Sequence, residues 1–249
     1  MSGRVGSITT PIITDGLVLN LDAANRASYP KTGTIWNDTI NGNNGTLTNG
    51  PTFSEDGGGS IVFDGVNDYG TIQHDNNLNT GNNLSISLWV YPKQFHSEHT
   101  ILIEKGVEFD NTNFRLKFRG LSTGIGEVVA SGDGDYDIRF ALGDINGYNN
   151  QRNIIAFGNL NNYLNQWNYM VGTYDGSVMK LYWNGEEKVS YTKSFNVLQP
   201  NDNITICGPG PFENNYYNGN IANIQIYNRA LSSSEVLHNY NALKGRFGL

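Results

Sequence analysis

The sequence predicts an all-β fold, two antiparallel sheets stacked as a sandwich, with one short helix near the C-terminus. Three observations lead there. Aromatic residues are plentiful (Tyr 14, Phe 11, Trp 4) while charged residues make up only 16%, a balance that suits pleated, half-buried strands. Thirty glycines and 36 asparagines supply the left-handed angles and local side-chain bonds that tight turns need. Short apolar runs recur between turn dipeptides without the helical alternation of an α/β fold. A chain of 249 residues suits one large sandwich of this kind.

Taken in order, residues 1–14 read as an extended N-terminal arm and residues 15–249 as the sandwich domain. The first strand is Gly16–Asp22. A long Asn/Gly-rich connection follows from Ala24 to Gly59, with apolar points at Trp36, Leu47 and Phe53 and hairpin-type dipeptides at Asn41-Gly42, Asn44-Gly45 and Asn49-Gly50. Ser60–Phe63 and Asp68–Ile72 flank an Asp64-Gly65 turn. The clearest strand is Leu84–Tyr91, closed by Pro92: its period of two sends Leu84, Ile86, Leu88 and Val90 one way and Ser85, Ser87, Trp89 and Tyr91 the other. Thr100–Glu104 and Asn113–Phe118 come next. Asn168–Tyr174 and Ser177–Trp183 then form a meander with turns at Asp175-Gly176 and Asn184-Gly185. Ser232 and Glu235 have capping-box spacing. Val236, Leu237, Tyr240 and Leu243 continue as an apolar stripe, with Gly245 placed to stop the helix.

The net charge of −7 disfavours nucleic acid and anionic membrane as partners. The single cysteine, Cys207, excludes an intrachain disulfide and any multi-cysteine zinc site, and its apolar flanks predict an inert buried thiol. Residues 1–7 lack the apolar stretch of a signal peptide, and no apolar run reaches membrane-spanning length, so the expectation is a soluble protein.

The stretches Ser60–Tyr69, Leu84–Pro92, Trp167–Gly185 and Ile221–Ser232 resemble the LamG-like jelly-roll family of the concanavalin A-like lectin/glucanase superfamily, over about residues 15–249. The opening Gly16–Asn25 and the closing Tyr227–Ser232 are similar to the version common in bacteriophage and marine viral structural proteins. The resemblance implies a jelly-roll sandwich. It leaves the ligand open, because one fold hosts many tasks.

Glycoside hydrolysis needs two carboxylates flanking the scissile bond. The enzymes of this wider class imply a Glu-x-Asp-x-x-Glu run. The nearest match is Glu108-Phe-Asp110, with Asn113 where the second Glu belongs, so no enzymatic activity is expected. His96 and His99 lack a recognisable third ligand for zinc. No cofactor is called for. The exception is calcium, for which Asp133, Asp135 and Asp137 alternate like the opening of a calcium loop, with Asp144 at its twelfth place but Ile138 where Gly is usual. Trp89 and Tyr91, opposite the core-facing side of their strand, are candidates for stacking on a sugar.

Two functions fit these features. One is a structural protein of a phage virion, in capsid decoration, tail or fibre. It would be displayed on the virion surface and anchored to a capsid or tail protein, or to another copy of itself, by Ile8, Pro11, Ile12 and Ile13 of the arm. The alternative is a carbohydrate-binding adhesin module for host-surface glycans.

Overall fold

The structure is a computed structural model that describes residues 11–95, 99–106, 112–120, 136–145, 151–158, 160–209 and 216–249. In chain order its strands are β1 (Leu17–Asp22), β2 (Ile35–Trp36), β3 (Gly45–Thr48), β4 (Thr52–Ser54), β5 (Ser60–Asp64), β6 (Tyr69–Ile72), β7 (Leu84–Pro92) and β8 (His99–Lys105). There follow β9 (Phe114–Gly120), β10 (Tyr136–Gly143), β11 (Gln151–Gly158), β12 (Asn168–Tyr174), β13 (Val178–Trp183), β14 (Glu186–Thr192), β15 (Ile204–Ile206) and β16 (Asn218–Tyr227). The helix α1 spans Ser233–Leu243.

The strands form two antiparallel sheets of eight, as the sandwich reading expects. The first runs β14-β13-β12-β7-β16-β5-β4, with β1 also paired to β16; the second runs β11-β10-β9-β8-β15-β6-β3-β2. β16 is the spine of the first sheet. One edge pairs with β7, while the other pairs with β5 through Asn218–Ile221 and with β1 through Asn223–Tyr227. The change of partner coincides with a register shift between Ile221 and Asn223. An extra residue in one strand reverses the inward phase, so Ile221 before the shift and Ile224 and Ile226 after it all enter the core.

Between the sheets lies the main core, built from the alternate positions that the sequence marks: Leu84, Ile86, Leu88 and Val90 of β7 meet Phe114, Leu116, Phe118 and Phe140 of the second sheet. Gly172 of β12 marks a close approach. A Cβ there would stand 2.5 Å from the Phe140 ring, so no larger residue fits without moving the sheets apart.

The long connection before Gly59 is more ordered than its composition suggests. It contributes β2 and β3 to one sheet and β4 to the other. Asn44-Gly45 does not turn the chain, because Gly45 opens β3. Asn49 and Gly50 do adopt positive φ (69° and 114°), but they carry the chain between sheets rather than around a hairpin. Asn184-Gly185, with φ of 51° and 83°, makes the expected hairpin between β13 and β14.

A second apolar cluster lies on the outer face of the first sheet, beneath α1 and the 3₁₀ turn Lys244–Phe247. The paired strands set out that face in rows. Tyr169, Trp89, Asn223 and Asp22 form one, and Val171, Ser87, Gln225 and Asn20 the next. Trp89 is fully buried. Its ring stacks on Phe247 (4.0 Å between centroids), Tyr169 (5.1 Å) and Tyr240 (5.6 Å). Arg246 fixes the cover by donating to Asp22 Oδ1 (2.8 Å), to the Gly59 carbonyl (2.8 Å) and to the Gly57 carbonyl.

The helix begins as the sequence predicts, with the reciprocal Ser232–Glu235 capping box in place. Its stripe and its end differ. Leu237 is 46% exposed, whereas Asn239 is buried, because Asn239 is the residue that receives the N-terminal segment. Gly245 lies inside the 3₁₀ turn, and Gly248 (φ 74°) closes it instead.

The N-terminal segment also differs from its expected role. Ile13 N–H donates to Asn239 Oδ1 (2.8 Å), Tyr227 Oη–H donates to the Ile13 carbonyl (3.0 Å), and His238 Nε2–H donates to the Pro11 carbonyl (2.9 Å). Ile12 and Ile13 pack on the outer apolar cluster. Pro11, Ile12 and Ile13, expected in an extended arm, are therefore docked on this chain's own helix, and the packed body begins at least as early as Pro11. Ile8 lies outside the described residues.

Trp89→Ala should cost about 3–5 kcal/mol, the usual penalty for emptying a large aromatic site in a core, read from denaturant unfolding. Leu237→Ala should cost under about 0.5 kcal/mol, as for an exposed residue without special contacts. Glu235 gives a pH prediction. The hydrogen bonds from Arg229, at 2.7 and 3.0 Å, hold its carboxyl down to about 2, against an ordinary value of 4.5. A lowered carboxyl contributes stability above its unfolded value and loses it as pH falls toward the folded one. Melting curves should therefore show Glu235→Gln losing less than the native chain between about pH 4.5 and 2, by about 1 kcal/mol or less once solvent screening is counted.

Candidate functional site

The helix covers only part of the outer face of the first sheet, and a cleft of about 400 Å³ opens where that cover stops. The alternation of two strands builds its sheet side. Met170, Gly172 and Tyr174 of β12 turn inward, leaving Thr173 outside; Met179, Leu181 and Trp183 of β13 enter the core, leaving Val178, Lys180 and Tyr182 outside. The opposite wall is Ala230–Ser233 and Glu235, the chain entering α1. Ser85 Oγ pins this wall to β7, donating to the Arg229 carbonyl (2.9 Å) and accepting from Leu231 N–H (2.7 Å).

Hydroxyls and fixed charges line the cleft. Tyr182 Oη and Ser233 Oγ share a hydrogen bond of 3.0 Å that joins sheet to helix. Lys180 Nζ donates to Glu187 Oε2 at 2.8 Å, and this bond raises the ammonium's pKa. Asp175 is partly desolvated, which pushes its pKa up. Hydrogen bonds from Val178 N–H (2.7 Å) and from the Ser177 amide and hydroxyl (both 2.8 Å) outweigh that and leave it lowered. Asp175 and Glu235 are thus both held ionised. The cleft offers oriented donors and acceptors, with no carboxylic acid ready to give a proton at neutral pH.

The residues singled out in the sequence lie elsewhere. Trp89 and Tyr91, the candidates for stacking on a sugar, do face away from the core, but both rings are engaged within the chain. The C-terminal 3₁₀ turn covers Trp89, and half-buried Tyr91 packs edge-on against Trp167 (5.4 Å, 61°). Asp133 and Asp135 lie outside the described residues. Asp137 is described in its backbone only, opposite Arg119 and Phe157 in the second sheet, while Asp144 forms an isolated bridge with Val197. Among the described residues, no group of three His, Cys, Asp or Glu side chains is gathered as a metal site. Glu108, Asp110 and His96 also lie outside, and His99 is placed by its backbone alone. Asn113 is buried, its amide donating to the Leu198 carbonyl at 2.5 Å. Cys207 is buried as expected, and desolvation pushes its thiol pKa well up. No helix of the described residues is long and apolar enough to cross a membrane.

The cleft residues escaped the sequence reading, although half of the signal was present. Strict alternation in Ser177–Trp183 places Val178, Lys180 and Tyr182 on one face. What periodicity lacks is the distant partner: Ser233 meets Tyr182 across 51 residues of chain.

Comparison with known proteins agrees with this architecture. No curated protein matches the sequence. Among solved structures, domain 4 of AbnA, a GH43 extracellular arabinanase from Geobacillus stearothermophilus solved with arabinotriose, superposes with a TM-score of 0.63 at 19% identity. That match covers 91% of this chain and 98% of the arabinanase domain. The binding domain of Paraclostridial Mosquitocidal Protein 1 gives 0.68 at 18% identity, covering 91% of this chain and 52% of the other. The receptor-binding domain of the botulinum neurotoxin C/D mosaic serotype gives 0.65 at 18% identity, covering 92% and 52%. This chain spans about half the length of the two toxin domains, and at such identities the likeness is one of fold. The laminin-G-type model of the concanavalin A-like lectin/glucanases superfamily matches residues 64–237, most of the sequence, and the chain belongs to that superfamily.

Proposed function

We propose that the protein is a non-enzymatic glycan-binding module and that sugar binds in the cleft between β12–β13 and the start of α1. The observation that carries this reading is the lining itself. Lys180, Ser232, Ser233 and Glu235 present donors and acceptors over a floor of buried Thr173 and Tyr182, around about 400 Å³, a volume suited to a small ligand. Domain 4 of the arabinanase, solved with arabinotriose, and the binding domains of the toxins supply supporting analogy. The charge state argues against hydrolysis. A glycosidase keeps one carboxyl protonated to donate to the leaving oxygen, and Asp175 and Glu235 are both held ionised.

The similarity of Gly16–Asn25 and Tyr227–Ser232 to phage and marine viral structural proteins favours one setting for this module, display on a virion surface. Capsid or tail genes beside its own gene are the expected finding, and a gene neighbourhood of secreted sugar-degrading enzymes would overturn that setting.

The binding test is calorimetric titration with arabinotriose and a panel of neutral cell-surface oligosaccharides. At least one should bind, and Lys180→Ala with Ser233→Ala should weaken it about tenfold or more, the scale of a lost hydrogen bond to a charged group, while the protein stays folded and melts only a few degrees lower, having lost the Tyr182 and Glu187 bonds. Equal affinity in the double variant would remove the cleft from the interaction. Release of reducing sugar would refute the non-enzymatic reading.

A further inference from the structure

Lys105 occupies a place on β8 where a lysine is unexpected. Its register partners are Phe114 on β9 and Ile204 on β15, and both are fully buried members of the core between the sheets. The lysine stem therefore runs on the core side of the second sheet, and the residue has no exposed surface. Its Nζ reaches the short 3₁₀ turn Asn76–Leu78, 3.5 Å from the Leu78 carbonyl, and contacts Oδ1 of Asn79 at that turn's C-terminal end. Burial lowers the ammonium to about 8, opposed by the negative charge of Asp202, so about one amine in ten is unprotonated at neutral pH.

We propose that Lys105 and Asn79 become joined by an intramolecular isopeptide bond. The oxygen that Nζ touches is bonded to Cγ, the carbon to be attacked, so the two reactants are already held together by the fold. Such holding replaces a bimolecular encounter. The lone pair of unprotonated Nζ forms the new bond to Asn79 Cγ, and the bond from Cγ to Nδ2 breaks. The proton shed by Nζ passes to the departing nitrogen, which leaves as ammonia. The charge of Asp202 acts on the same amine and favours its protonated form, so the step draws on the unprotonated fraction that burial leaves. No oxidant, reductant or second substrate is needed, and the chain loses one ammonia overall.

The link would tie β8 to a segment 26 residues earlier, constraining the unfolded chain as a disulfide does. A sequence with one cysteine has no disulfide route to that constraint.

The test is the intact mass of the full-length protein under denaturing conditions, followed by protease digestion. The expected mass is one ammonia below that of the sequence, with a branched peptide joining Lys105 to Asn79. Lys105→Arg and Asn79→Ala should each show the full mass of their own sequences and melt several degrees lower. The mass reading does not depend on whether a variant folds. Full sequence mass and no branched peptide, in native protein held at pH 9 where the amine is mostly neutral, would overturn the proposal. So would an ammonia loss that persists in Lys105→Arg.

Discussion

The first sheet must bury apolar side chains on both of its faces, and that constraint organises the rest of the molecule. A sandwich needs only one apolar face per sheet, and β7 meets this with Leu84, Ile86, Leu88 and Val90. On its other side stands Trp89, a ring large enough to demand a second cover. Two distant stretches provide it: residues 11–13 from one end of the described chain, and α1 with the following 3₁₀ turn from the other. Arg246, reaching Asp22 and two backbone carbonyls, locks that layer to the sheet. The polar cleft exists because the layer is too short to reach the far ends of β12 and β13.

Periodicity made the sheets legible. Alternation in Leu84–Tyr91 and Ser177–Trp183, with turn dipeptides between, yields the strands and the facing of their residues, and the Ser232–Glu235 spacing yields the helix start. The rest depends on partners far away in sequence. Alternation puts Trp89 on the outer face, yet nothing local tells that Phe247 stacks on it. Pro11–Ile13 read as an arm because their apolar character is visible and their acceptor, Asn239, is not. Asn239 itself reads as a polar interruption of the helix, and only the docked segment explains its burial.

The same limit explains the candidate site. Carboxylate runs and repeated aspartates stand out in a sequence, as Glu108-Phe-Asp110 and Asp133–Asp137 do. The cleft is assembled instead from ordinary residues, a threonine, a lysine, a tyrosine and a serine. Each is unremarkable alone, and they are brought together by the pairing of β12 with β13 and by the point where the chain turns into α1. Its electrostatics, by contrast, are local in origin: Glu235 is held acidic by Arg229, six residues before it, and Asp175 by the donors of its own turn.

The divided partnership of β16 bears on how the chain is made. β1 leaves the ribosome well before its strand partner, the stretch Asn223–Tyr227, and β5 likewise waits for Asn218–Ile221. Until β16 emerges, β1, β5 and β7 therefore each present an unpaired edge beside apolar side chains, a condition that invites pairing with other chains. Contacts of such long sequence separation also fold slowly. Yield in a heterologous host should consequently be governed less by the stability of the finished sandwich than by translation speed and chaperone supply over the interval before β16 appears.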